Sequence, residues 1–148
     1  MNLKKILMPA NMLPSLEATT KEGVIEELVH FLASNGTIKD SEAALKAVLE
    51  REQKMSTGMQ NGIAIPHGKT DAVNELQVAI AVKREGVDFD CMDGQPARIF
   101  IMTLSPETRV GPHIQFLAEI SKLLGRPELR EKLLACTTAD EMLLLLTD

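Results

Sequence analysis

The sequence predicts an α/β fold of sandwich type. Two amphipathic helical periods in the first third of the chain, two apolar runs rich in β-branched residues in the middle, and a helical stretch beyond Pro112 predict it. Strands interleaved with helices can bury their apolar faces only by stacking in layers. At 148 residues one core suffices, and a single domain over 1–148 is expected, with no repeat, low-complexity tract or linker to divide it.

After a short helical turn at the N-terminus, Met12 to Leu16 reads as a strand. Thr19 and Glu22 have capping-box spacing ahead of a helix over about Lys21 to Ser34, whose apolar stripe is Val24, Ile25, Leu28, Phe31 and Leu32. His30 falls opposite that stripe and reads as a solvated surface residue. A second helix runs from about Ser41 to Lys54, followed by the loop Ser56 to Gly62. Ile63 to Ile65 is an apolar run that reads as the end of a buried strand, because Pro66 has no N–H to continue the pairing. Leu76 to Val82 alternates as a strand should, and Ala97 to Leu104 reads as a strand buried on both faces. The turn Asp93-Gly94-Gln95-Pro96 lies between them. Helices over about His113 to Leu124, Pro127 to Ala135 and Thr138 to Leu146 complete the chain, the second with proline in its first turn and the third opened by the Thr138 and Glu141 pair.

Composition excludes several classes of function. Charged residues make up 25% and hydrophobic ones 45%, which is the balance of a globular protein. A net charge of −5 opposes a phosphate backbone, and four Phe with no Trp or Tyr offer few platforms for bases, so a nucleic-acid partner is not expected. The N-terminus has too few apolar residues before Pro9 for a signal core, and no apolar stretch approaches a membrane span. Cys91 and Cys136 lack metal-type spacing and fit a reducing compartment. A cytoplasmic location without membrane insertion is the expectation.

Three polar residues keep apolar company. His67 follows Ile63-Ala64-Ile65-Pro66 and precedes Gly68, a setting that presents an imidazole at a strand end with open space beside it for a bulky reaction partner. A histidine that merely caps a strand is the competing reading. Arg51 falls on the stripe of Ala44, Ala47, Val48 and Met55, where a guanidinium requires an anion; a structural ion pair with Glu52 or another acid, or a chain that snorkels outward, also fits. His113 opens the stripe of Phe116, Leu117, Ile120 and Leu124 at a helix N-terminus, where unpaired N–H groups favour phosphate, although a capping or core histidine is equally at home there. If the three meet, one nucleophilic imidazole, one permanent cation and one hydrogen-bonding imidazole make a pocket suited to phosphoryl transfer, whose transition state is stabilised chiefly by charge and donors.

Other chemistries fare worse. Zinc has His67 and His113 to draw on but no third ligand at helpful spacing. Ser56-Thr57-Gly58 with Gly62 is only loosely like a phosphate-cradling loop and lacks the Gly-Lys-Ser/Thr ending of a nucleotide site.

Arg51-Glu52, Ser56-Thr57-Gly58 and Asn61-Gly62-Ile63-Ala64-Ile65-Pro66-His67-Gly68-Lys69 resemble the signature of the enzyme IIA domain of the fructose, mannitol and nitrogen-regulatory class in the bacterial phosphoenolpyruvate-dependent phosphotransferase system. Val87-Asp88-Phe89-Asp90, Asp93-Gly94-Gln95-Pro96 and Pro112-His113 are similar to further segments of that family, so the likeness spans nearly the whole chain. It implies a three-layer sandwich with a mixed β-sheet between helices. It also implies that His67 is the phospho-acceptor on Nε2, charged by HPr or a nitrogen-branch HPr-like protein, with Arg51 and His113 around the phosphoryl group, Thr57 and Gly58 supporting it, and no metal or nucleotide cofactor. The acceptor is then either a IIB cysteine in sugar uptake or the regulatory protein targets of a nitrogen-type regulator. Because these residues contain no fused IIB, IIC or HPr-like segment, the reading leans to the regulator. The chain departs from the family at Gln60, where a second glycine is common, and strain is expected there.

Overall fold

The computed structural model describes residues 2–148. Two long strands, β4 (Gln77–Val87) and β5 (Ala97–Ser105), run antiparallel and carry apolar side chains on both faces. Val78, Ile80, Val82, Ile99 and Ile101 enter one cluster, and Ala79, Ala81, Phe100, Met102 and Leu104 enter the other. A period of two that is apolar on both sides cannot face water on either, so helices must cover both.

They do so unequally. On one face lie α2 (Lys21–Ala33) and α3 (Ser41–Lys54), contributing Val24, Ile25, Leu28, Val29, Leu32, Ala44 and Val48. On the other lie α1 (Leu3–Ile6), α4 (Gly111–Leu124), α5 (Pro127–Ala135) and α6 (Ala139–Thr147), contributing Leu3, Phe116, Ile120, Leu124, Leu133, Met142 and Leu146. Between them the short strands β1 (Met12–Leu13), β2 (Ile63–Ala64) and β3 (His67–Lys69) complete a five-stranded mixed sheet of order β1-β4-β5-β2, with β3 also on β5. β1 is parallel to β4, and β2 and β3 are parallel to β5. The expected three-layer sandwich with a mixed sheet is the fold observed. Phe100 and Phe116 are fully buried on opposite faces, and truncating either to alanine costs about 3–5 kcal/mol.

Local differences from the sequence reading have local causes. The cap of α2 is Thr20, whose hydroxyl accepts from Gly23 N, so the expected Thr19 and Glu22 box is displaced by one residue. Val29 joins the buried stripe of that helix while Phe31 is only half-buried. Met55, expected on the apolar stripe of α3, is its C-cap and is 71% exposed, because the extended backbone there carries it off the helix face. The first strand is confined to Met12–Leu13 after a single 3-10 turn at Pro9–Asn11. β4 continues beyond Val82 to Val87 through a register shift, where Gly86 at φ 80 lets the strand pass Pro96; a Cβ there would stand 2.8 Å from Pro96 Cβ.

Candidate active site

Pro66 interrupts the ladder on β5 without ending it. Ile63 lies opposite Ile99 and His67 opposite Thr103, the same offset, so β2 and β3 are one line of strand with a break at Ile65-Pro66. The proline cannot donate, but its carbonyl accepts from Thr103 N at 3.1 Å and pairing resumes. His67 therefore stands at the start of β3, not beyond the last strand residue as expected. The role expected of Gly68 also changes. It is buried, and a Cβ on it would lie 3.0 Å from Val48 N and 3.2 Å from Ala47 C, so its lack of side chain lets α3 press on β3 instead of clearing a path for a partner.

The half-buried His67 ring is oriented by its own chain. Nδ1 lies 2.9 Å from Ile65 O. A carbonyl can only accept, so Nδ1 carries the hydrogen and Nε2 keeps the lone pair in the neutral ring. The ring is in contact with His113, with centroids 5.2 Å apart and planes tilted by 42°.

His113 sits in the first turn of α4, where Pro112 needs no N–H partner and the helix end carries partial positive charge. The helix begins at Gly111, two residues before the expected start. His113 is 8% exposed, and its Nε2 is buried with no hydrogen-bond partner among the described residues. Burial first, then the neighbouring His67 and Lys69, push its pKa down to about 4. The ring is neutral at physiological pH and has one unsatisfied nitrogen, a costly arrangement that an incoming hydrogen-bonding group would relieve.

Arg51 lies three and four residues beyond Val48 and Ala47, on the helix face that meets β3. Half-buried, it has no carboxylate partner among the described residues, and its Nη1 donates to Met55 O at 2.9 Å. The alternative ion pair with Glu52 is not formed. Glu52 is 7% exposed and takes the N–H and hydroxyl of Thr57 at 2.8–3.1 Å, with Lys21 Nζ at 3.5 Å. The N–H and hydroxyl of Thr57 are thus committed to Glu52, and Gly58 N donates to Ser56 Oγ at 3.0 Å, so these two residues shape the loop and none of the three donors is free. A Cβ on Gly58 would fall 2.6 Å from Phe89 O, which makes that glycine obligatory for the close approach of the two loops.

Sequence reasoning missed Glu52. The available signal was a carboxylate in the last turn of a helix, the end where a negative charge is disfavoured, with a threonine five residues on. Gln60 is not strained: the left-handed conformations of the 58–64 turn fall on Asn61 and Gly62, at φ 62 and 74. Among the described residues no group of three or more His, Cys, Asp or Glu side chains converges as a metal ion needs.

The family model described as "Phosphoenolpyruvate-dependent sugar phosphotransferase system, EIIA 2" matches residues 5–148. A fructose-specific EIIA component from Haloferax volcanii is 47% identical over 115 residues, covering 78% of this chain and 75% of that protein. The crystal structure of the nitrogen regulatory protein IIA-Ntr from Neisseria meningitidis superposes with a TM-score of 0.88 at 28% identity, covering 98% of this chain and 99% of that one. The mannitol enzyme IIA of Escherichia coli, solved in complex with phosphorylated mannitol enzyme IIB, gives a TM-score of 0.81 at 29% identity over 95% of this chain and 96% of that one.

Proposed function

Because the chain belongs to the EIIA 2 family of the phosphoenolpyruvate-dependent sugar phosphotransferase system, we propose that it carries a phosphoryl group on Nε2 of His67, received from the phosphohistidine of HPr or an HPr-like protein. The observation that supports this most directly is the Nδ1 bond to Ile65 O, which leaves Nε2 as the nucleophile. Its lone pair forms the new N–P bond as the donor's N–P bond breaks, and the bonding electrons return to the donor ring. No proton has to leave His67. The positive charge gained by its ring is held by the Ile65 carbonyl, in a geometry present before reaction.

Three anionic oxygens then need donors. Arg51 can leave Met55 O and present its planar fork, and His113 can turn its solitary Nε2 into a donor by tautomer choice or by taking up a proton once negative charge arrives. The α4 N-terminus adds partial positive charge. Met55, Met59, Met92 and Ile114, on the segments around the site, are exposed large apolar side chains, as a transient protein-docking surface requires. No helix of the described residues is long and apolar enough to cross a membrane, and the cytoplasm, where such a relay meets its donor, is part of this reading.

The test is labelling with phosphoenolpyruvate, enzyme I and HPr. One acid-labile, base-stable phosphoryl group is expected, and none in His67→Ala; wild-type labelling of that variant would sink the assignment. Two acceptors remain to be separated. The 47% identity to a fructose-specific component favours a IIB cysteine, whereas the near-complete overlap with IIA-Ntr favours regulatory targets. Transfer of label to a purified fructose-type IIB selects the first, and its failure beside normal labelling by a nitrogen-branch donor selects the second.

A further inference from the structure

Phosphoryl transfer as described above makes no direct use of the Glu52 carboxylate, and its position is costly. It is almost fully buried in the last turn of α3, where the free carbonyls repel it, and a buried carboxylate persists only when its oxygens are paired. Both oxygens are engaged by Thr57, through the backbone N–H at 2.9 and 3.1 Å and the hydroxyl at 2.8 and 2.9 Å. Lys21, which also lies over the Phe89 ring and reaches Asp90, supplies the neighbouring cation.

The consequence follows along the chain from Thr57. Its carbonyl accepts from Ile65 N at 3.0 Å, and Ile65 in turn offers the carbonyl that binds His67 Nδ1 at 2.9 Å. In the other direction, fixing Thr57 fixes the turn through Met55, whose carbonyl holds Arg51 Nη1 at 2.9 Å. One carboxylate thus stands behind both the nucleophile and the Arg51 guanidinium. We propose that Glu52 is a positioning residue that, through Thr57, sets the ring orientation and tautomer of His67 and the resting place of Arg51. This rests on His67 being the phospho-acceptor, but its first readout does not.

That readout is the pair of ring 15N shifts of His67 in the unphosphorylated protein, which report the tautomer. The wild type shows the Nδ1–H form, and Glu52→Ala shows a mixture because Ile65 O is no longer held. With phospho-HPr as donor, Glu52→Ala lowers kcat about 10- to 100-fold with little change in KM, as expected for a misplaced nucleophile. Glu52→Gln, which keeps an acceptor for Thr57 N and gains an N–H that can donate to the Thr57 hydroxyl in place of accepting from it, restores most of the rate. Thr57→Val, which keeps the shape and the N–H, gives a smaller version of both changes and serves where the alanine variant does not fold. Wild-type ring shifts and rate in a folded Glu52→Ala or in Thr57→Val overturn the proposal, as does a Glu52→Gln as slow as alanine. Absence of label on wild-type His67 refutes the acceptor assignment instead, and the shift comparison still decides the role of Glu52.

Discussion

Acid should unfold this protein partly through one buried ring. His113 in the folded chain has a pKa of about 4, against about 6.5 for a free histidine, because burial and the nearby His67 and Lys69 disfavour its charged form. Above pH 6.5 neither state holds the proton and nothing is lost. As pH falls below 6.5 the unfolded chain takes up a proton that the folded one refuses, so stability declines until the folded pKa is reached. The full difference corresponds to about 3 kcal/mol, of which about 2 kcal/mol is lost by pH 5. Carboxylates titrate in part of the same range, so the measurement is a comparison. Urea denaturation of the wild type and His113→Gln at pH 7.5 and pH 5 should show the wild type losing about 2 kcal/mol more than the variant. An NMR titration of the His113 ring gives the same quantity directly. Equal pH slopes, or a folded His113 titrating near 6.5, would refute the reasoning. After phosphorylation of His67 the same ring should titrate higher, since the new charge beside it is negative.

Gly68→Ala should destabilise by about 1–3 kcal/mol in a thermal melt, because the new methyl meets the Val48 and Ala47 backbone, and should slow transfer by displacing His67. Arg51→Lys keeps the charge but loses the planar fork, so phosphorylation kinetics should fall while the melting temperature holds; the reverse pattern would make Arg51 a helix-end residue only. Gln60→Gly should bring no relief of strain and should lower stability by about 0.4–1 kcal/mol through the looser unfolded chain, since the positive φ values lie on the next two residues.

Helices α2 to α6 were legible because a repeat of about 3.6 is written within each segment, and β4 and β5 because an apolar run that ignores alternation must be covered on both sides. His67 and His113 stood out through their unlike neighbours. What escaped depended on partners remote in sequence. The continuation of pairing through Pro66 needs the amide of Thr103, and the role of Gly68 needs the backbone of Val48. Glu52 beside Arg51 looks like an ordinary surface pair in sequence, and only the burial of one and the exposure of Met55 separate their roles. Thr19 and Thr20 offer the same hydroxyl to α2, and entry geometry chose between them.

The shared register of β2 and β3 on β5 has a kinetic meaning. A histidine on a free loop can be exposed by local fraying, but His67 belongs to a ladder on β5 and its neighbour Gly68 is pressed against α3, so releasing it means breaking both contacts. The amide of Gly68, which turns toward β5 as those of His67 and Lys69 do not, should exchange slowly, and successive partners would meet a fixed target. In the proposed relay, adaptation at each handover then falls to the exposed side chains of Met55, Met59 and Met92 and to the visiting proteins.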